Sequence, residues 1–413
     1  MNDLVDLGDL AATDPAIVGG KAASLAQLVR SGVDVPAGFV IPTGVFRRHQ
    51  GSTLDDDLLA QLEVGLRRIG GVSAPVAVRS SATTEDGAAA SAAGQHDSVL
   101  AVVGTEAASR AVLRCWASLW SDRALAYRAG RGSSGGGTPS AGPGTGTGPG
   151  TSSGPASRAG PPEMAVLVQT FVDADVSGVL FTGDATVIEA TPGLGDQLVN
   201  GQVTPDSWTV DDQGISDRVM GTTSHRSDRV GDRLRRRPLS DDERGQLCLT
   251  DAQVLALCRL GQQVSLLLGG PADLEWAITG EQIHVLQARP ITTALPPGHL
   301  ARAHPAGELH GIAASPGTAT GPVRVIAGVA DFRRVSPGDV LVCEHTDPAW
   351  TPLFGFAGAV VTEHGGLLSH AAIVAREIGL PAVVAVPDAT QVLRDGTTVR
   401  VDGDRGSVTR LEA

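Results

Sequence analysis

Apolar positions recur every three or four residues at Ala22, Leu25, Leu28 and Val29, directly behind Gly19-Gly20-Lys21. That spacing predicts a helix with a glycine-rich entry. The same period predicts helices over residues 54–69, over 105–129 with Trp116, Leu119, Trp120, Leu125 and Tyr127, over 251–268, and over 369–378. Short apolar runs closed by Gly or Pro predict strands at 39–41, 75–78, 164–169, 178–182, 273–278 and 282–287. Further runs at 323–326, 340–342, 359–361, 382–386 and 398–401 surround the 369–378 helix and predict a small second β/α unit. The chain therefore reads as α/β (α+β).

Two stretches break this pattern. Gly, Ser, Thr and Pro fill 25 of the 30 positions in 131–160. Such a composition cannot pack a core and predicts a flexible insertion, because strand-like runs resume beyond it. Pro296, Pro297 and Pro305 mark a linker. The expected organisation is a first domain over 1–293, a linker over 294–308 and a second domain over 309–413.

The 413 residues and 42% hydrophobic content suffice for two or three buried cores. A formal charge of -13 argues against a general nucleic-acid or anionic-membrane binder, while leaving room for a local basic pocket. Cys115, Cys248, Cys258 and Cys343 form no C-x-x-C pair and no zinc-like cluster. The acidic N-terminus has no signal-peptide pattern, and no apolar run approaches the ~18 residues of a membrane span. A soluble, reduced, cytoplasmic protein is expected.

Of the 32 basic residues Lys21 is the one lysine. Arg and Lys differ at a close phosphate contact, so a lone Lys behind two glycines is a candidate phosphate ligand; the alternative is a surface lysine. The spacing is not that of a Walker A loop. Arg79 leads a strand into Ser80-Ser81-Ala82-Thr83-Thr84, followed by Gly94 and Ser98, a set of guanidinium, hydroxyl and backbone donors suited to polyphosphate or to a plain surface turn. In Asp273-Leu274-Glu275 and Gln287-Ala288-Arg289, residues two apart share a strand face. Glu275 and Gln287 can hold Mg²⁺, and Arg289 can neutralise phosphates; cross-strand ion pairing is the other reading. Finally, Gly365-Gly366 precedes a helix whose first turn carries His370. A phosphate on that imidazole would face free N–H groups at the positive helix end, although a histidine there is also a common cap or surface residue. His364, in the loop, is its rival.

Taken together these stretches resemble the phosphoenolpyruvate synthase and pyruvate phosphate dikinase superfamily, including the rifamycin phosphotransferases. GGKAASLAQL, VPAGFVIP, VAVRSSATTED, CWASLWSDRALAYR, MAVLVQ, SGVLFT, PADLEWA and LQARPIT are similar to its ATP-grasp nucleotide domain. SPGTATGPV, TDPAWTPLF and GGLLSHAAIVAREIGLPAVV are similar to its swivelling phosphohistidine domain, a small β/β/α unit; TDPAWTPLF leans toward the rifamycin branch. The chain departs from the family at Gly183-Asp184-Ala185, at Leu368 and in its low-complexity insertion.

The resemblance implies ATP contacts at Lys21, Arg79, Gly94, Ser98, Gln169, Glu275, Gln287 and Arg289, with Mg²⁺ held by Glu275 and Gln287. It implies His370 as the phosphocarrier, passing a phosphoryl group from ATP to an acceptor and leaving AMP and phosphate. No acceptor domain of the family is recognisable up to Ala413, so the expected acceptor is a separate polypeptide or a small molecule bound between the domains. The alternative is a nucleotide-binding regulatory protein with decayed catalysis. Neither nucleic acid nor membrane is expected as a partner.

Overall fold

The structure is a computed structural model that describes residues 3–49, 52–83, 97–121, 162–291, 308–346 and 350–411. The 131–160 insertion, the 294–307 part of the linker and Gly94 lie outside the described residues.

The first sheet is antiparallel, in the order β1 (Val5–Asp6), β2 (Gly38–Ile41), β5 (Met164–Thr170), β3 (Val76–Ala82), β4 (Ser98–Val102). Its central strand β5 is apolar almost throughout because both faces are covered. Met164, Val166 and Val168 enter a core with helices α2 (Asp56–Arg68) and α3 (Thr105–Ser118), while Ala165 and Leu167 enter another with helix α1 (Pro15–Arg30). The helix expected over 105–129 thus ends at Ser118, and residues 122–129 lie outside the described set. The hydroxyl-rich segment after Arg79, for which a plain surface turn is the alternative reading, instead continues β3 to Ala82, with Ser80 and Ser81 fully buried.

Helix α1 starts earlier than its apolar spacing indicates. Asp14 accepts the Ala16 N–H and Pro15 occupies the first turn, a strong N-terminal signal. Gly19 (φ 75°, ψ 166°) then breaks the helix. A Cβ there would lie 2.0 Å from the Ser81 carbonyl oxygen, so only glycine lets the chain lean on the end of β3.

The second sheet, also antiparallel, has the order β13 (Gln282–Pro290), β12 (Ala272–Thr279), β6 (Val176–Phe181), β7 (Thr186–Pro192), β8 (Asp206–Asp211), β9 (Gly214–Val219). A separate hairpin joins β10 (His225–Val230) and β11 (Arg233–Pro238). Helix α4 (Asp251–Leu268) covers one face, its start fixed by a Thr250–Gln253 capping box. Leu274, Trp276 and Ile278 of β12 join Leu25 and Leu28 of α1 in one core that ties the two sheets together.

The C-terminal region is an eight-stranded mixed sheet, β14 (Leu309–His310), β21 (Ser407–Arg410), β20 (Thr398–Asp402), β16 (Thr318–Val325), β17 (Val340–Cys343), β18 (Ala359–Thr362), β19 (Ala382–Val384), β15 (Ile312–Ser315). Strands β16 to β19 run parallel, and helix α5 (His370–Ile378) packs beside them. Strand β19 stops at Val384, short of the expected 386, because Ala385 turns to φ 57°. Among the described residues no helix is long and apolar enough to cross a membrane.

Candidate active site

Strand alternation does the first part of the assembly. Val76 and Val78 of β3 enter the core, which turns Ala77 and Arg79 to the opposite face. Along β12 the core takes Leu274 and Trp276, leaving Asp273 and Glu275 on the other side. Glu275 lies directly opposite Gln287, and Asp273 opposite Arg289. These faces enclose a cavity of about 610 Å³ between the first two sheets.

Lys21, Arg79, Ser98 and Gln169 line it from the first sheet and α1, and Glu275, Gln287 and Arg289 from the second. His370, the first residue of α5, lines the same cavity from the C-terminal region together with Leu368 and Ile373. His370 is only 5% exposed. The rival His364 does not line the cavity; its Nε2 stands 3.9 Å from a Glu344 carboxylate oxygen.

The polar end of the cavity is organised around Arg79. Its Nη2 donates to Glu275 Oε2 (2.8 Å) and to Gln287 Oε1 (3.2 Å), and its Nη1 donates to the Leu286 carbonyl (2.5 Å). The register between β12 and β13 shifts after Glu275, and Leu286 is the residue left without a partner. A bulge re-aims the backbone in this way, and here it presents a carbonyl to the opposite sheet. Arg289 binds Asp273 Oδ2 through Nε at 2.7 Å, a pair with little exposure. Burial raises the Asp273 carboxyl above the usual range, and Arg289 opposes that shift. Lys21 Nζ donates to the Ser80 carbonyl at 3.2 Å, and Gln169 Nε2 to the Pro36 carbonyl. The other end is apolar, with Phe171, Ala174, Leu194, Leu234 and Leu286. Leu234 comes from the β10–β11 hairpin, whose Arg229 holds Asp173 and stacks on Phe171 at 5.9 Å.

Glu275 and Gln287 fit a divalent cation. Their oxygens already converge on one cationic nitrogen, and a carboxylate plus an amide oxygen leaves most of a Mg²⁺ shell for phosphates and water.

Glu189, Arg376 and Asp273 carry no role in the sequence-based reading. Glu189 is 2% exposed on β7, yet accepts hydrogen bonds across to the C-terminal region, from Leu367 N (2.5 Å) and Leu368 N (3.1 Å). Burial pushes its carboxyl up to about 7; the two N–H groups and the Arg376 charge pull the other way. Arg376 of α5 is itself buried, donating from Nη1 to the Ala314 and Leu367 carbonyls at 2.8 Å each. Its burial lowers it to about 10 against the charges of Glu189 and Asp273. One signal was available: Glu189 is the lone acid in the run Val187-Ile188-Glu189-Ala190. Leu367 and Leu368 complete the contact by packing with Val179, Phe181, Val187, Leu198 and Val203.

Residues 52–297 match the pyruvate phosphate dikinase AMP/ATP-binding domain family, and residues 335–406 match the mobile domain of PEP-utilising enzymes. The chain is 33% identical to a probable phosphoenolpyruvate synthase of Archaeoglobus fulgidus over 97% of its own length and 57% of that protein. It is 34% identical to the phosphoenolpyruvate synthase of Aeropyrum pernix (95% of this chain, 56% of that protein) and 32% identical to that of Escherichia coli (95% and 55%). The chain thus spans little more than half the length of these relatives. With the first match running through both sheets that wall the cavity and the second through the helix that carries His370, the chain belongs to the pyruvate phosphate dikinase and phosphoenolpyruvate synthase family.

Proposed function

We propose that this chain is an ATP-dependent phosphotransferase in which His370 takes a phosphoryl group from ATP and passes it to an acceptor, with AMP and inorganic phosphate as the other products. The observation that carries the reading is the shared cavity: an imidazole from the C-terminal region opens into the same space as Lys21, Arg79, Arg289, Glu275 and Gln287.

The apolar end suits a flat base, and the polar end suits a polyphosphate. Phosphoryl transfer is mostly positioning and charge neutralisation, which Lys21, Arg79 and Arg289 supply. Glu275 and Gln287 would hold Mg²⁺, which when bound adds positive charge beside the phosphate oxygens. Attack of an imidazole nitrogen on the β-phosphorus expels AMP and leaves two phosphoryl groups on nitrogen. Water must then cleave the outer one to release phosphate and leave phosphohistidine. Arg79 exchanges its bonds to Glu275 and Gln287 for phosphate oxygens as the nucleotide enters. The acceptor is a small molecule or a separate polypeptide, reached when the C-terminal region swings away on the 294–308 linker.

The test is incubation with ATP labelled at the β- or the γ-phosphate. The β-label is expected on the protein, acid-labile and base-stable, with AMP released and the γ-label recovered as phosphate. His370→Ala should take no label. ADP as product, or labelling unchanged in His370→Ala, overturns the reading; tight ATP binding with no turnover points instead to a regulatory nucleotide-binding protein.

A further inference from the structure

Register across the second sheet places Gln287, Glu275, Val179, Glu189 and Ser207 opposite one another in one row. Directly opposed residues of antiparallel strands share a face. Glu189 therefore stands on the cavity face, two strands from Glu275, or roughly 10 Å at ordinary strand spacing. It does not line the cavity itself. Its carboxylate is instead taken up whole by the turn before α5: both oxygens accept N–H groups of Leu367 and Leu368, the residues immediately before Ser369 and His370.

The turn is shaped for this occupant. A Cβ on Gly366 would meet Glu189 Oε2 at 2.3 Å, Oε1 at 2.4 Å and Cδ at 2.5 Å, and its three nearest atoms all belong to that carboxylate. Gly366 is not at positive φ, so its backbone does not itself demand glycine. From α5, Arg376 binds the Leu367 carbonyl and adds its positive charge behind the same turn. The apolar contacts of Leu367 and Leu368 are nondirectional, whereas a carboxylate held by two N–H groups fixes position and angle.

We propose that Glu189 is the docking residue that seats the His370 turn on the nucleotide-binding sheet, setting the imidazole at a fixed offset from the Glu275–Gln287 pair, and that Gly366 is present to admit it. Glu189 is a positioning residue: it acts through Leu367 and Leu368 and does not line the cavity. This rests on the carrier reading for its catalytic consequence, but not for the docking itself.

The experiment uses the full chain and four variants: Glu189→Gln, Glu189→Ala, Gly366→Ala and the Glu189→Ala/Gly366→Ala double. Three measurements are made on each: ATP affinity, the rate of β-phosphate labelling, and the radius of gyration from solution scattering. Both Glu189 variants should keep ATP affinity, label roughly tenfold or more slowly, and show a larger radius. Gly366→Ala alone should be at least as slow, and the double variant no slower than Glu189→Ala, because the clash has lost its second party. Retained ATP affinity guards against misfolding as the cause. Wild-type labelling and radius in Glu189→Ala, or a Gly366→Ala defect that Glu189→Ala leaves fully additive, overturns the proposal. If the wild-type chain takes no label the carrier reading fails, and the radii alone decide the docking.

Discussion

Two buried carboxylates face the His370 helix, and they are held in different ways. Asp273 has its own guanidinium on the neighbouring strand, Arg289 at 2.7 Å, so its neutralisation is internal to one sheet. Among the described residues Glu189 makes no side-chain ion pair at bonding distance; its partners are backbone N–H groups 178 and 179 residues away, with the Arg376 charge behind them. A buried charge left without its partner is strongly unfavourable. An acid that must stay buried in every state carries its counter-ion on the same sheet, as Asp273 does. Glu189 can regain water when the C-terminal region leaves, so it can depend on that region for its bonds.

The most damaging change is Asp273→Ala, which removes the carboxylate 2.7 Å from Arg289. We expect about 3–5 kcal/mol lost from the unfolding free energy of the N-terminal region, read by urea denaturation; a loss below about 1 kcal/mol would place the pair among solvent-screened contacts. Next comes Arg376→Met. It leaves the Ala314 and Leu367 carbonyls without their shared donor and Glu189 without its nearest positive charge. About 2–3 kcal/mol should go, together with a slower labelling of His370; unchanged stability with unchanged labelling would show that Arg376 merely fills space.

The smallest effect is a pH dependence. The Glu189 carboxyl is raised by burial from 4.5 to about 7. The docked form therefore binds more protons than the open one, and docking is most favourable below the ordinary value and weakens as pH rises through about 7. The other charges near the contact are Arg376, whose lowered value of about 10 lies above this window, and the Asp273–Arg289 pair, which lies within one sheet; His370 sits on the same helix. Scattering should show the chain expanding modestly from pH 5 to pH 8, with the slope flattened in Glu189→Gln. An equal slope in that variant assigns the effect to His370 instead.

Much of this arrangement was legible in the chain itself. A lysine used once behind two glycines, and acids and amides two apart on consecutive strands, are local patterns, and the structure puts Lys21, Glu275, Gln287 and Arg289 on one cavity wall or another. Glu189 was not legible in this way. Its meaning comes from a sheet register that lines it up with Glu275 and from a turn far along the chain, and neither is a local property of the sequence. The start of α1 failed for the opposite reason: Asp14-Pro15 is a local signal, but the glycines drew the boundary to the point where the helix breaks.

The irregularity beside Glu275 has one more consequence. Strand β13 holds one residue more than its ladder with β12 can use, and the surplus carbonyl at Leu286 is gripped by an arginine rooted in the other sheet. That single extra residue makes a strut between the two sheets. Excising it would restore a regular ladder and, in the same stroke, remove one of the three hydrogen bonds by which Arg79 joins the two walls.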